Sequence, residues 1–383
     1  GLAEYSVLLG EKGYRQSYPW QLSVGYNGFF DQRSNSYRFI ASNLDNVALR
    51  TVVVDIDNRQ QTYDNYIMNG AFHFKEDTNE NGYRSNLYQF VNAGYLNLNY
   101  KPDDSWDILV GGRVENNINI TRYKEQSDLN FNNLTRNQYF ILPSLSIKKN
   151  LNSKSNIRFA ASKTITRPIL IEYMPIVYIN PDNENIIGNK DLKNSENYNL
   201  DLKYEIFPTN KELFAINLFA KKINNAIERS YTASGNSNGV AITFLNAKNA
   251  ILGGAELEGI LDLSRLSESL NQWSLGANAT FMYSKVERSP EQLDQEKPVN
   301  FTGTLKERKL QGAAPWTVNA DLKYEFKNGQ NLPHTASLVY NVSGSKIFTV
   351  GTSGLDHIYE RPFHQLDFVY NAQLTKNWNV KLG

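Results

Sequence analysis

The sequence contains no cysteine, and this absence removes several classes of protein at once. Among its 383 residues there is no thiol for a disulfide framework, a thiolate metal site or a cysteine nucleophile. The four histidines, His73, His334, His357 and His364, lack the close spacing of a zinc site. No nucleophile with a paired base and no glycine-rich phosphate loop is recognisable. We therefore predict neither an enzyme, nor a metal centre, nor a cofactor.

A charge imbalance and long apolar runs are also missing. The 40 basic and 39 acidic residues leave a formal charge of +1, which gives no basic surface for a nucleic-acid partner. Mean hydropathy is −0.51, and no apolar run approaches the ~18 residues that a membrane helix requires. Membrane helices are therefore excluded. Membrane-spanning strands are compatible with this composition, because every second residue of such a strand faces water.

The chain does contain a strict alternation of apolar and polar residues. Between Trp316 and Phe326 every even-numbered residue is apolar and every odd-numbered residue is polar. Similar alternation occurs at residues 20–26, 157–165, 198–206, 255–263, 273–284 and 366–374. Side chains alternate across a strand, so these segments are predicted to be strands with one apolar face. Within 87–100, Asn92 and Gly94 interrupt the apolar positions, which predicts a β-bulge or a different strand boundary there.

The connections between the predicted strands alternate in length. Short connections with turn residues are predicted at 101–105, 150–155, 208–211, 265–270, 327–333 and 375–377. Long polar connections are predicted at 117–136, 167–196, 229–239, 286–311 and 345–362. Short turns on one side and long loops on the other are typical of outer-membrane barrels. We count about fifteen strands of about 9 to 14 residues, long enough to cross a bilayer.

A soluble β-sandwich or barrel with its apolar face turned inward is the alternative interpretation of the same alternation. Strands of soluble sheets are usually about 5 or 6 residues long, which favours the membrane barrel. Mixed charges on the polar faces, such as those of Asp321, Lys323 and Glu325, fit both alternatives, since they would line water in either one.

Several motifs resemble one family in their combined order. Ser162 begins the run SKTITRP, Ile187 begins IGNKDLK, and a strand starts at Tyr198. Asn92 begins NAGY and Leu310 begins LQGAAPW. Together these segments resemble the barrel of TonB-dependent outer-membrane receptors over nearly the whole chain. The richness in Tyr and Asn, with Asn at about one residue in eight, resembles receptors of Bacteroidota.

The resemblance implies an all-β fold, a transmembrane antiparallel β-barrel of the outer-membrane type. The complete family barrel has 22 strands and encloses an N-terminal plug whose leading segment engages periplasmic TonB. We expect residues 1–383 to form one partial barrel domain, with the plug and the last strand outside it. The implied function is TonB-coupled import of a scarce ligand, such as a siderophore-type metal chelate, across the Gram-negative outer membrane. A porin-like channel remains the alternative. The implied partners are outer-membrane lipid and lipopolysaccharide, TonB, and a small-molecule or oligomeric nutrient.

Ligand contacts, by the same resemblance, would come from the long loops. The candidate residues are Arg167, Tyr173, Tyr178, Tyr231, His357 and Tyr359. Each also has an ordinary explanation, since exposed polar and aromatic residues are common on loops. Arg167 precedes Pro168, which ends a strand by removing a backbone donor, so its place at the rim alone explains it.

A run beginning at Asp77 has the spacing of the first half of a calcium-binding loop. Tyr88 occupies the twelfth position, where a bidentate glutamate is needed. We therefore predict a polar hairpin tip rather than a metal site.

Overall fold

The computed structural model of the protein describes most of the chain. It describes residues 1–10, 18–36, 40–44, 55–68, 72–76, 84–124, 130–179, 184–233, 240–296, 307–351, 356–375 and 377–383. The strands are β1 (Leu2–Leu9), β2 (Trp20–Ser36), β3 (Ile40–Leu44), β4 (Phe72–Glu76), β5 (Arg84–Tyr100), β6 (Trp106–Tyr123), β7 (Asn132–Asn152), β8 (Ser155–Thr166), β9 (Val177–Ile179), β10 (Asn185–Ile187), β11 (Ser195–Ile206), β12 (Leu213–Asn224), β13 (Ile227–Ala233), β14 (Val240–Asn246), β15 (Asn249–Asp262), β16 (Trp273–Glu287), β17 (Glu307–Arg308), β18 (Trp316–Lys327), β19 (Pro333–Ser343), β20 (Lys346–Thr349), β21 (Ile358–Glu360), β22 (His364–Thr375) and β23 (Trp378–Leu382). The helices are α1 (Arg59–Met68), α2 (Leu170–Tyr173) and α3 (Pro290–Glu296), with 3-10 turns at Leu263–Arg265 and Glu268–Leu270.

The alternating segments form one long antiparallel sheet. Its strand order is β1-β2-β5-β6-β7-β8-β11-β12-β15-β16-β18-β19-β22-β23, and β17 pairs with β16 to make fifteen strands in the described part of the chain. This count agrees with the expected one. Nearly every strand pairs with the one before it, as in a meander, and the insertions in the long loops form smaller sheets. No helix among the described residues has the length and apolar character needed to cross a membrane.

All six predicted short turns connect neighbouring strands of the sheet. The predicted bounds 117–136 of one long connection were wrong, because β6 continues to Tyr123 and β7 begins at Asn132, which leaves 124–131 between them. The many asparagines of residues 117–136 are typical of a loop. In the structure their backbones continue the ladder from Asn117–Gln138 to Tyr123–Asn132. The calcium-like run beginning at Asp77 lies largely outside the described residues.

The predicted bulge in β5 was also wrong. From Ser85 to Tyr100 each residue of β5 has a partner on both β2 and β6, without a register shift. Gly94 lies opposite Tyr26, whose hydroxyl donates to Asn92 Oδ1 at 2.6 Å. The tyrosine side chain therefore provides a hydrogen bond for the polar residue that interrupts the alternation, and the strand needs no extra residue.

The sheet has an apolar face and a polar face. Leu275, Leu322 and Leu338 are cross-strand partners on the apolar face of β16, β18 and β19. Leu275 is 40% exposed and Leu338 is 45% exposed, so no second layer covers them as a soluble sandwich would require. On the other face, Asn319 donates from Nδ2 to Asn278 Oδ1 at 2.7 Å. The apolar face is therefore left uncovered, as the barrel interpretation predicts.

Buried apolar clusters lie instead at the long-loop end of the sheet. One cluster joins Ala226, Ala247, Ala250 and Val286. Another joins Leu87, near the start of β5, to residues of the 167–194 connection. The sheet consequently depends on its surroundings to cover its apolar face, whereas the loops carry cores of their own.

The ladder between β7 and β8 stops at the pair Ser144–Ser162. Pro143, the next residue of β7, has no N–H to donate and pairs only with Gly112 of β6. Beyond this point β8 continues to Thr166 along β11, and β7 continues along β6. Toward the long-loop end the sheet therefore divides into two panels, one ending in β7 and the other beginning at β8.

We expect Leu322→Arg to impair assembly in the outer membrane. An arginine near the middle of a lipid-facing strand costs about 2–4 kcal/mol, whereas one on the polar face does not. Asn319→Arg, three residues earlier and on the polar face, is the matched control. Yield of heat-modifiable protein in outer-membrane fractions measures both variants. Equal yields would contradict the assignment of the faces.

Two neighbouring short turns are joined by an ion pair that is sensitive to pH. Arg265 donates from Nε to Glu212 Oε1 at 2.9 Å and from Nη2 to Oε2 at 2.7 Å. These hydrogen bonds hold the pKa of Glu212 below its usual value. The pair therefore stabilises the fold above the unfolded-state pKa of about 4.3, and that contribution is lost as pH falls through the folded pKa.

We expect Glu212→Gln to remove part of the acid-induced loss of stability. Thermal unfolding of the detergent-solubilised protein, followed from neutral pH to below about pH 4, measures the effect. Glu268→Gln, on the next 3-10 turn, is the control and should leave the pH dependence unchanged. A pH dependence identical in wild type and Glu212→Gln would show that the pair has no such role.

Candidate ligand-binding loop layer

The long connections at one edge of the sheet form a layer, which we call the loop layer. It comprises residues 167–194, 225–248, 288–315 and 344–363, as far as they are described. Within it β13, β14, β10 and β9 form a small sheet, and β20 pairs with β21. A bridge between Ser230 and Val350 links the two. The loops therefore form a connected structure above the sheet.

A buried ion pair lies at the centre of the loop layer. Arg308 donates to both carboxylate oxygens of Glu228, at 2.8 and 2.6 Å, and Gln292 Nε2 donates to Oε2 at 2.8 Å. The side chains of Glu228 and Arg308 are 1% and 5% exposed. Burial of two charges is costly unless they are paired with good geometry, and this pair has that geometry. The contact joins β13 to the segment that follows α3.

Gln311 extends this contact to two further loops. Its Oε1 accepts from Arg229 N–H at 2.7 Å, and its Nε2 donates to Arg229 O at 3.0 Å and to Phe348 O at 2.6 Å. The Arg229 guanidinium pairs with Glu184 at 3.1 Å and lies over the Phe348 ring, 4.7 Å from its centroid. All four connections of the loop layer thus meet around Glu228 and Arg229.

The 167–194 connection also packs against the sheet. Asn189 N–H donates to Glu172 O at 2.7 Å, and Gly188 lies so close to the backbone of Met174 that a Cβ atom would clash. Arg136 of β7 donates to Leu192 O at 2.5 Å, and Asn194 Nδ2 donates to Gln138 Oε1 at 2.9 Å. Glycine is therefore required where this loop folds back on α2.

Below the loop layer, the polar face carries a group that we call the upper polar patch. Its members are Arg113, Glu115, Asn117, Asn119, Arg136, Gln138 and Arg167. Arg113 pairs with Glu115 Oε2 at 2.7 Å, and Arg167 pairs with Oε1 of the same carboxylate. Its three guanidiniums and one carboxylate leave a formal charge of +2. The patch therefore favours anions.

Several polar atoms of the upper polar patch are buried without a hydrogen-bond partner among the described residues. They are Asn117 Nδ2, Asn119 Oδ1 and Arg167 Nε, and Glu115 Oε1 has no partner besides its ion pair with Arg167. A buried donor without a partner costs about 1–3 kcal/mol, so such donors are normally satisfied by water or ligand. In this patch the two unpaired donors lie beside an excess of positive charge.

The six residues predicted as ligand contacts fall into different environments. Arg167 lies in the upper polar patch. Tyr173 is 3% exposed, and its hydroxyl hydrogen-bonds Thr121 Oγ1 at 2.9 Å. Burial raises the pKa of Tyr173. Because this side chain fills a core, we remove Tyr173 from the candidate contacts. Tyr178 pairs with Ile186 between β9 and β10, and its side chain is outside the description.

The other three candidates lie in the later part of the loop layer. Tyr231 is half-buried, its N–H donates to Val350 O at 3.2 Å, and burial raises the pKa of its hydroxyl. His357 Nδ1 accepts from Gly351 N–H at 3.0 Å, and its ring centroid is 6.4 Å from that of Tyr359. Tyr359 is 54% exposed. The bridge between β13 and residue 350 brings the loops of Tyr231 and His357 together.

Sequence reasoning missed the residues that organise the loop layer. Gln311 lies in the LQGAAPW segment, but nothing in the sequence near it indicates that it meets Glu228. Glu115 was likewise missed, because its burial against Arg167 depends on the strand register. No group of histidines and carboxylates among the described residues is arranged to hold a metal ion.

Comparison with known families agrees with the fold described above. Residues 4–383 match the family model described as TonB dependent receptor-like, beta-barrel. The chain belongs to this family of TonB-dependent receptor barrels. Its members are receptors and transporters rather than enzymes. A comparison with curated proteins gives no match.

Solved structures of TonB-dependent receptors share the fold. The ferric yersiniabactin uptake receptor of Yersinia pestis matches with a TM-score of 0.56 at 13% identity, over 99% of this chain and 47% of that one. The copper transporter OprC gives 0.58 at 13% identity, over 95% and 48%. The ferric citrate transporter FecA gives 0.59 at 11% identity, over 98% and 47%. The chain thus spans about half the length of these structures.

We expect Arg308→Leu to loosen the loop layer, because it leaves the Glu228 carboxylate buried and unpaired. Removing one partner of a buried pair costs about 3–5 kcal/mol. Amide hydrogen exchange of residues 225–233 and 307–315 measures the change. Glu307→Gln, which removes the exposed partner of Lys285, is the control. Unchanged exchange in Arg308→Leu would show that the pair does not hold the loops together.

Proposed function

We propose that residues 1–383 form the barrel part of an outer-membrane receptor that imports a scarce anionic ligand, such as a metal chelate, with energy from TonB. The observation that carries this proposal is the upper polar patch. It combines excess positive charge with buried donors that lack partners, at the end of the sheet where the loops lie. In this proposal TonB acts through a plug domain, and the strands of the barrel enclose that plug.

The apolar face supports a location in the outer membrane. Its side chains remain about half exposed along consecutive strands, as with Leu218, Leu257 and Phe281. Burying apolar area in lipid contributes about 25 cal/mol per Å2. A sheet whose strands are all paired satisfies its backbone groups within lipid. Lipid and lipopolysaccharide are therefore the proposed surroundings of this face.

An anion fits the upper polar patch better than a neutral or cationic nutrient. Glu115 is nearly fully buried, and it cannot neutralise both Arg113 and Arg167. Hydrogen bonds that involve a charged group contribute about 1.5–3 kcal/mol, which makes an anionic chelate the best match. The names of two structural neighbours, receptors for ferric yersiniabactin and for ferric citrate, agree with this ligand class.

Aromatic residues of the loop layer would contribute a second set of contacts. Tyr359 offers an exposed ring beside His357, and Tyr231 lies half-buried on the adjoining β13. Rings of this kind pack against the organic part of a ligand, while the patch holds its charge. We propose Arg167, Tyr231, His357 and Tyr359 as ligand contacts, together with Arg113 and Asn117. Tyr178 stays a prediction.

We expect Arg167→Gln to weaken uptake of anionic ferric chelates about tenfold or more, because one charge-assisted hydrogen bond is lost. Uptake of radiolabelled iron from a panel of ferric chelates measures this in cells expressing the full-length receptor. Arg158→Gln is the control, since Arg158 pairs with Glu205 at 3.0 Å near the short-turn end of the polar face. Surface levels and limited proteolysis confirm folding. Equal uptake by both variants would contradict the role of the patch.

A porin-like channel is the second candidate, because its strands and polar lumen would be the same. The two functions separate when TonB is deleted in the same cells. Receptor function predicts that uptake stops and that chelate binding at the surface persists. Uptake that continues without TonB would favour the channel.

A further inference from the structure

Three lysines lie on one row of the apolar face. Lys163 is the cross-strand partner of Tyr198, which is also the partner of Lys222. Ile251 in turn lies between Lys222 and Lys285. Adjacent strands are about 4.8 Å apart, so these lysines recur about every 10 Å along the row. The spacing places three cations across five strands.

The rows on either side show that the lysines mark a boundary. The next row toward the short turns holds Ala161, Leu200, Ala220, Gly253 and Tyr283. The next row toward the loop layer holds Glu196, Asn224, Asn249 and Glu287, with Ile165 at its end. Apolar residues thus end where the lysines begin, and polar residues follow. Lysines at such a boundary lie at the level of lipid headgroups.

Directly beside the row, the apolar face is grooved. The groove has a volume of about 590 Å3. Ala220 and Gly253 supply a floor of small residues, and the rings of Tyr198 and Tyr283 stand on either side. Tyr283 is 67% exposed, so it projects well beyond this floor. The shape suits a flexible hydrocarbon chain that runs along the strands.

The three lysines differ in their pairing. Lys163 pairs with Glu196 at 3.0 Å and lies 5.4 Å from the centre of the Tyr198 ring. Lys285 pairs with Glu307 at 2.5 Å. Lys222 is exposed at the groove and forms no ion pair with any described residue. The groove therefore has one uncompensated cation at its headgroup end.

We propose that this groove binds one phosphorylated lipid of the outer leaflet, with a phosphate at Lys222 and an acyl chain over Ala220 and Gly253. The inference rests on the proposed outer-membrane location. Charge complementarity selects a lipid whose phosphate is not balanced by a cation of its own over a zwitterionic phospholipid, because Lys222 has no carboxylate to pair with. The apolar floor selects a lipid over free phosphate, since an ion would leave the groove empty.

Native mass spectrometry of the full-length receptor in a mild detergent tests the proposal. The probes are bisphosphorylated lipid A, its dephosphorylated form, phosphatidylcholine and inorganic phosphate. Wild-type receptor should retain one molecule of bisphosphorylated lipid A more tightly than the other probes. Lys222→Ala should retain it about fivefold less tightly, the effect expected for loss of one lysine near an anionic lipid. Equal retention of all the lipids, or of inorganic phosphate alone, would overturn the proposal.

Two further variants separate the parts of the site. Lys221→Ala changes the adjacent residue of β12, which points to the polar face, and should leave retention unchanged. Gly253→Leu should fill the groove and weaken retention of lipid A, with no change of charge. A loss in Lys221→Ala as large as that in Lys222→Ala would assign the effect to general charge and overturn the site.

Membrane fractionation distinguishes failure of this inference from failure of the proposed function. If the receptor is not in the outer membrane, both fail together. If the receptor fractionates with the outer membrane and imports ferric chelates, yet shows no preference for phosphorylated lipid, only the lipid site is refuted. Lys222→Ala should take up ferric chelates as wild type does.

Discussion

Hydrogen bonding of the backbone between neighbouring strands is the constraint on which the rest of this structure depends. A strand in lipid must satisfy its N–H and C=O groups through neighbouring strands. The long ladders, such as the seventeen-residue pairing of β2 with β5, meet that requirement. Once the backbone is satisfied, side chains are free to differ between the faces. The alternation of apolar and polar residues in the sequence therefore follows from the strand pairing. Polar residues such as Asp321 and Lys323 line one face of the sheet only.

The loop layer obeys a different rule, because water is available and the ladder has ended. There the chain builds small cores and a buried ion pair to hold four connections in place. Glu228 and Arg308 are separated by 80 residues, yet they form the centre of that arrangement. Buried charge pairs contribute little net stability, but an incorrect arrangement would leave a charge unpaired. The pair therefore specifies how the loops fit together above the upper polar patch.

What the sequence predicts well depends on near neighbours along the chain. The segment Trp316–Lys327 was predictable because a period of two requires no knowledge of distant residues. The loop-side ends of β6 and β7 were assigned to the connection between them, since their asparagines are satisfied only once the register is known. Tyr173 was predicted as a ligand contact, but it is buried by a loop that folds back onto Thr121. The grouping of the upper polar patch was missed for the same reason, because Glu115 lies in β6 and Arg167 follows β8.

Pro143 has a mechanical consequence for the long-loop end of the sheet. Beyond it no backbone ladder fixes the distance between the panel ending in β7 and the panel beginning at β8. The panels are joined there by side chains, namely Arg136 to Leu192 O and Asn194 to Gln138. Side-chain hydrogen bonds exchange with water far more readily than a continuous ladder separates. The sheet can thus open more easily between β7 and β8 beyond Pro143 than where their backbone ladder is continuous.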